Sequence, residues 1–264
     1  MKIISILNLK GGVGKTFTAV NMAYEMHRRG YNVLLIDNDK QGNLSKAYGK
    51  YDAETYSPAA RLLSGDWKQA DELIQCTDYD GIDIITANMA LLGATWEITA
   101  CKEELQTGRY KKLLCAPEEI EYYGDSTVEG KYDYCIIDNP PDIALNVINA
   151  LEITDEVIVP VKIDEWALEG LDILREQIED AKQLNPALEL KGVLVTHYQN
   201  TDGEAAGREW LEQQEDIEVL GTIRYSKKVA ESTFTFKPIY EYSPRCGAAQ
   251  DYKKFITEYT GQER

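Results

Sequence analysis

The most constraining stretch of this 264-residue chain is Lys10-Gly11-Gly12-Val13-Gly14-Lys15-Thr16, directly behind the apolar run Ile3–Leu7. Glycines free the backbone to turn so that several N–H groups converge on one anion. A helix is expected from Thr16 to Arg29, with Ala19, Ala23 and Met26 at helical spacing and Gly30 at its C-terminal end. Its positive N-terminal pole would face the same anion. Strand, turn and helix thus come in the order of a phosphate-binding P-loop, G-x-x-x-x-G-K-[ST]. The match is deviant. Leu9 occupies the first glycine position, and a second lysine, Lys10, precedes Lys15 by five residues. In such a loop Lys15 reaches the β- and γ-phosphates and the Thr16 hydroxyl binds Mg²⁺.

Downstream, apolar runs alternate with helical segments. Candidate strands are Ile3–Leu7, Val33–Ile36, Ile82–Thr86, Tyr134–Ile137, Glu156–Val161, Gly192–Thr196 and Val219–Ile223. This alternation predicts an α/β fold, a doubly wound, mostly parallel sheet with helices on both faces. The length suits one domain over residues 1–264, and no repeat or linker interrupts it. Tyr51–Asp80 is polar and reads as short helices. Trp96–Gly130 reads as helix plus a charged loop around Glu118-Glu119-Ile120-Glu121, with Gly124 and Gly130 at its end.

Two strand ends carry carboxylates. Leu34-Leu35-Ile36 runs into Asp37-Asn38-Asp39, and Tyr134-Cys135-Ile136-Ile137 runs into Asp138-Asn139-Pro140-Pro141. In an open α/β sheet ligands bind at the carboxyl edge of the strands. An aspartate there can hold the Mg²⁺ shell, orient a water, or simply begin a solvated turn. An apolar strand ending in Asp138 is the Walker B arrangement, and Pro140-Pro141 stops the strand.

These three stretches resemble the ParA/MinD family of deviant Walker A ATPases, most closely its ParA (Soj-like) branch, over nearly the whole chain. Lys10–Thr16 matches the family's P-loop with its signature lysine, Lys10. Leu34–Asn43 is similar to the family's LLIDLDPQGN, with Lys40 in place of proline. Asp133–Leu151 resembles the family's Walker B block, with Asn139 in place of a common cysteine, and Lys237–Tyr242 its C-terminal segment, with Phe236 in place of glycine.

The resemblance implies a P-loop NTPase fold of the SIMIBI type and a homodimer sandwiching two ATP molecules with Mg²⁺. Gly11, Gly12, Val13, Gly14, Lys15, Thr16 and Phe17 would cradle the nucleotide. Lys10 would reach the phosphates of the other subunit, while Lys15 and Thr16 act in cis. Asp39 would orient the attacking water, Asp37 would support Mg²⁺ from behind, and Asp138 would position it. Hydrolysis would be slow and stimulated by a ParB-like, centromere-binding partner. Thr196-His197-Tyr198 would follow a strand near the nucleotide base.

The chain carries 28 Lys and Arg against 45 Asp and Glu, a net charge of −17, which opposes nonspecific attraction to nucleic acid or anionic lipid. The exception is Arg224–Lys237, where Arg224, Lys227, Lys228 and Lys237 face only Glu231. By resemblance, Lys227, Lys228 and Lys237 are the candidates for nonspecific DNA binding. No helix-turn-helix precedes the P-loop, so operator recognition is not expected. The tail from Asp251 lacks the apolar anchors of a membrane helix and is expected to pack as a terminal helix.

The five cysteines are scattered without a C-x-x-C pair, so metal and disulfide roles are not expected. The chain enters a strand at once, leaving no room for a signal peptide. The expected setting is the cytoplasm, in association with the nucleoid. The expected role is partition of a plasmid, chromosome region or mobile element. Positioning of another cargo, or a nucleotide-switched scaffold with little hydrolysis, are the alternatives.

Overall fold

A computed structural model describes residues 1–102, 106–115, 128 and 130–261. Its eight strands are β1 (Lys2–Ile6), β2 (Val33–Asp37), β3 (Gln75–Cys76), β4 (Ile82–Ile85), β5 (Tyr134–Asp138), β6 (Glu156–Lys162), β7 (Glu189–Tyr198) and β8 (Val219–Arg224). They form one sheet in the order β3-β4-β2-β5-β1-β6-β7-β8. Every pairing is parallel except that of β3 with β4. The seven expected strands are all present, with ends shifted by a residue or a few. β7 is extended most, running from Glu189 to Tyr198 and so taking in His197. β3 was not expected; it is a two-residue antiparallel edge piece with no apolar pattern to reveal it.

The helices in chain order are α1 (Lys15–Arg28), α2 (Asn43–Ala47), α3 (Pro58–Ser64), α4 (Ala90–Thr99), α5 (Lys111–Leu114), α6 (Leu145–Leu151), α7 (Glu165–Ala181), α8 (Asp202–Glu212), α9 (Lys227–Phe234), α10 (Ile239–Tyr242) and α11 (Gly247–Thr260). α1 starts one residue earlier than expected. Gly30, at φ 85°, terminates it, and the Tyr31 N–H closes onto Met26 O at 3.2 Å. The charged loop expected around residues 118–121, and Gly124, lie outside the described residues.

Alternation along each strand divides the core. Ile4, Ile6, Leu35 and Ile136 pack beneath α1 and α11, where Tyr252, Phe255 and Ile256 of the terminal helix are buried. Ile3, Leu34, Ile36, Cys135 and Ile137 point to the other face, against α3 and α4. Val157, Val159 and Val161 on that same face meet Leu171, Leu174 and Ile178 of α7. Leu184, three residues beyond the end of α7 at Ala181, is 45% exposed. The side chains of residues 165–169, including Trp166 and Leu168, lie outside the description. Buried on both faces, the parallel strands need continuous apolar sequence. The topology also places β1 between β5 and β6, so the loops leaving β1, β2 and β5 converge at one carboxyl edge.

Candidate functional site

The loop between β1 and α1 turns at Gly12 and Gly14, both in the left-handed region at φ 73° and 90°. Asn8 props it open. Its amide donates to Pro160 O at 2.7 Å and its Oδ1 accepts from Lys10 N at 2.8 Å. Lys15 Nζ is folded back over the loop, donating to Asn8 O and Lys10 O at 3.0 Å each. Burial pulls the Lys15 ammonium below its usual range, while Asp138, Asp39 and Asp142 favour its charge. The Thr196 hydroxyl, from β7, donates to Val13 O at 2.8 Å and clamps the loop from the opposite side. His197 lies against Gly14, where an added Cβ would stand 3.7 Å from its Cε1.

Behind the loop, β2 and β5 bring their terminal carboxylates together, Asp37 in register with Asp138. Asp37 is fully buried. It accepts from Ser45 N at 2.8 Å, from Ser45 Oγ at 2.7 Å and from Asp39 N at 3.2 Å. Burial nevertheless pushes its carboxyl up to about 6. Asp138 is 1% exposed and neither of its oxygens has a hydrogen-bond partner at normal geometry. Burial, reinforced by Asp37, drives its carboxyl well above the usual range; the nearby Thr16 hydroxyl and Lys15 ammonium pull it back. A carboxylate kept buried without a donor is costly unless a cation completes it.

A buried network centred on Asn38 and a more exposed ion pair tie the loops after β2 and β5. Asn38 Nδ2 donates to Asn139 Oδ1 at 2.8 Å, Asn146 Nδ2 donates to Asn38 O at 2.9 Å, and the Tyr110 hydroxyl donates to Asn38 Oδ1 at 2.7 Å. Nearer solvent, Lys40 Nζ meets Asp142 Oδ2 at 3.0 Å. Reading the sequence missed Asn8, Asn38, Tyr110 and the Lys40–Asp142 pair; Thr196 was expected near the nucleotide base, but its bond to the glycine loop was not foreseen. The substitutions at Lys40 and Asn139 were visible as departures, but their contacts were not.

A cavity of about 760 Å³ opens over the glycine loop. Gly11, Gly12, Gly14, Lys15, Thr16 and Phe17 line one end together with Asp39, Lys40 and Asp142; Tyr225, Phe236 and Lys237 line the other. Val13 is buried beneath it, and Asp37 and Asp138 are buried at the adjoining strand ends. Lys10 does not line this cavity; its ammonium is held by Asp164 of the same chain. Of the basic candidates, Lys228 pairs with Glu231 at 2.6 Å, and Arg224 grips Asp251 through two contacts of 2.8 Å. Lys227 and Lys237 make no ion pair among the described residues.

A glycine loop feeding a helix at the carboxyl edge of such a sheet, with an aspartate ending a neighbouring buried strand, defines the P-loop NTPase class. Within that class, the family described as an AAA domain matches residues 1–190. The chain is 33% identical to the chromosome partitioning protein ParA of Caulobacter vibrioides, covering 100% of this chain and 96% of that protein. It is 35% identical to the sporulation initiation inhibitor protein Soj of Bacillus subtilis, covering 97% of each. Among solved structures it resembles cobyrinic acid a,c-diamide synthase of Mycobacterium smegmatis with bound ATP analogue and magnesium. That match has a TM-score of 0.78 and 25% identity over 99% of this chain and 97% of the other. The chain belongs to the ParA/MinD family of P-loop ATPases.

Proposed function

We propose that the protein is a Mg²⁺-dependent ATPase of the partition type. It dimerises with ATP, holds DNA without sequence preference and is reset by a ParB-like, centromere-binding partner. The observation that carries this reading is the partnerless buried carboxylate of Asp138 beside Thr16 and Lys15. Two bare carboxylate oxygens next to a threonine hydroxyl suit a hard dication with oxygen ligands. Thr16 and Asp138 would hold Mg²⁺, with Asp37 and its Ser45 contacts supporting from behind. When bound there, the ion would supply positive charge to offset that of the terminal phosphates.

The chain's own residues do the rest. The backbone N–H groups from Gly11 to Phe17 wrap the phosphates, and Lys15 leaves its carbonyl partners to meet them. Asp39, on the cavity wall, orients the attacking water. Lys10 exchanges Asp164 for the phosphates of a second copy, so the second copy completes the site. Phosphoryl transfer depends on such positioning and charge compensation rather than on covalent chemistry. The kinship with chromosome partitioning proteins supports a cytoplasmic, nucleoid-bound role over the full 264 residues as one domain.

Sedimentation with and without ATP and Mg²⁺ tests the dimer. The parent should shift to a dimer with ATP alone among nucleotides. Lys10→Ala should still bind nucleotide yet stay monomeric; an ATP-driven dimer of that variant overturns the trans role of Lys10. DNA retention that needs ATP and falls with salt supports partition. Its absence at low salt favours the nucleotide-switched scaffold, a reading encouraged by the internal pairing of Arg224 and Lys228.

A further inference from the structure

The loop after β2 places Lys40 immediately beyond Asp39, on the same cavity wall as Gly11, Gly12 and Lys15. Its ammonium is occupied by Asp142, 3.0 Å away, from the loop after β5. The pair is partly solvated, the side chains being 31% and 47% exposed. Exposed pairs of this kind contribute about 0–1 kcal/mol. The pair is also not needed to join the two loops, because the buried Asn38–Asn139 bond and the Asn146 contacts already do so. An ion pair that adds little to the fold, at the wall of an anion cavity, is poised for exchange.

Asp142 explains why exchange matters. It lines the cavity and is close enough to Lys15 to favour that ammonium's charge. A bare carboxylate there would repel an incoming polyphosphate. With Lys40 attached, the wall is neutral at Asp142. A phosphate oxygen carries more charge than a carboxylate oxygen shares, and the wall is less hydrated than bulk water, so Coulomb attraction to the phosphate is strengthened. Asp142, nearly half exposed, is then left to solvent at small cost.

We infer that Lys40 is a second cis cation of the nucleotide site, released from Asp142 to bind the terminal phosphate of ATP. The position beside Asp39 selects the terminal phosphate, since in the ATPase reading above Asp39 orients the attacking water. This inference rests on the ATPase reading above. It adds a residue that distinguishes ATP from ADP, which lacks the group Lys40 would bind.

A double-mutant cycle on the full chain tests it, with ATP and ADP affinities measured by calorimetry in Mg²⁺ for the parent, Lys40→Gln, Asp142→Asn and the double variant. Lys40→Gln should weaken ATP about tenfold while leaving ADP within about twofold. Asp142→Asn should tighten ATP, and the Lys40→Gln loss should persist in the Asp142→Asn background. Lys40→Arg should restore the preference for ATP. The inference is overturned if Lys40→Gln changes ATP and ADP equally or not at all. It is also overturned if both single variants weaken ATP and the double variant is no worse, the signature of a latch. A parent chain that binds no ATP would instead sink the ATPase reading. Circular dichroism confirms that each variant is folded, and Lys40 and Asp142 are exposed enough for that to be expected.

Discussion

His197 shows how one side chain couples the fold to pH. It sits at φ 56° against Gly14, its Nδ1 buried without a partner. Burial, and secondarily Lys162, holds its imidazole below the usual value. A group whose folded pKa lies below its unfolded one binds more protons when unfolded in the window between them. Its contribution to stability is therefore present above the unfolded value of about 6.5 and lost as pH falls through the folded value. His197→Asn keeps a residue tolerant of the left-handed region. Compared with the parent, this variant should gain urea resistance at pH 5.5 relative to pH 7.5; an unchanged difference across that range would refute the assignment. Asp138 makes the complementary point. Its carboxyl is buried and costly to ionise, with the Thr16 hydroxyl and the Lys15 ammonium offsetting part of that cost. Asp138→Asn should raise the melting temperature in EDTA by about 2–4 °C for each kcal/mol of charge burial relieved. It should also abolish Mg²⁺-dependent ATP turnover. A melting temperature that falls in EDTA would show that Asp138 is a structural residue.

At the scale of elements, the turn between β2 and α2 admits little change. Gly42 caps α2 at φ 64°, and a Cβ there would stand 2.5 Å from the Tyr51 ring and 2.7 Å from Ala87 O. Gly42→Ala combines left-handed strain with a backbone clash. It should cost about 2–4 kcal/mol in urea unfolding, and it should slow ATP hydrolysis because Asp39 and Lys40 lie on the same turn. The sequence was most legible where chemistry is local. Seven parallel strands announced themselves as apolar runs because both faces of the sheet are covered. The glycine loop and the aspartates at strand ends were readable because each needs only its neighbours in the chain. Contacts between distant segments were not. Asn38 and Asn139 are 101 residues apart, and Lys40 and Asp142 are 102 apart. Nothing in either stretch alone reveals that Asn139 is met by Asn38, or Lys40 by Asp142, on the other loop. β3 escaped for a different reason, since two edge residues carry no periodicity.

For the whole molecule, the question is how a chain of net charge −17 could hold a polyanion. The basic segment near α9 is weaker than its composition suggests, because Arg224 and Lys228 are already satisfied by Asp251 and Glu231. Lys227 and Lys237 are left to meet phosphates, and a dimer doubles them. Each phosphate neutralised on B-DNA adds about −0.9 to the slope of log K against log salt, so four such contacts give a slope of about −4. DNA retention by the ATP-bound parent, measured over a salt series, should show that modest slope. Lys237→Ala should reduce its magnitude by about 2 in the dimer. Glu231→Gln should raise retention by freeing Lys228, whereas Lys228→Glu should lower it. The two Glu231 and Lys228 variants separate this account from one in which DNA binds elsewhere. If neither changes retention while the parent still binds DNA in an ATP-dependent way, the surface around α9 is not the one that holds it.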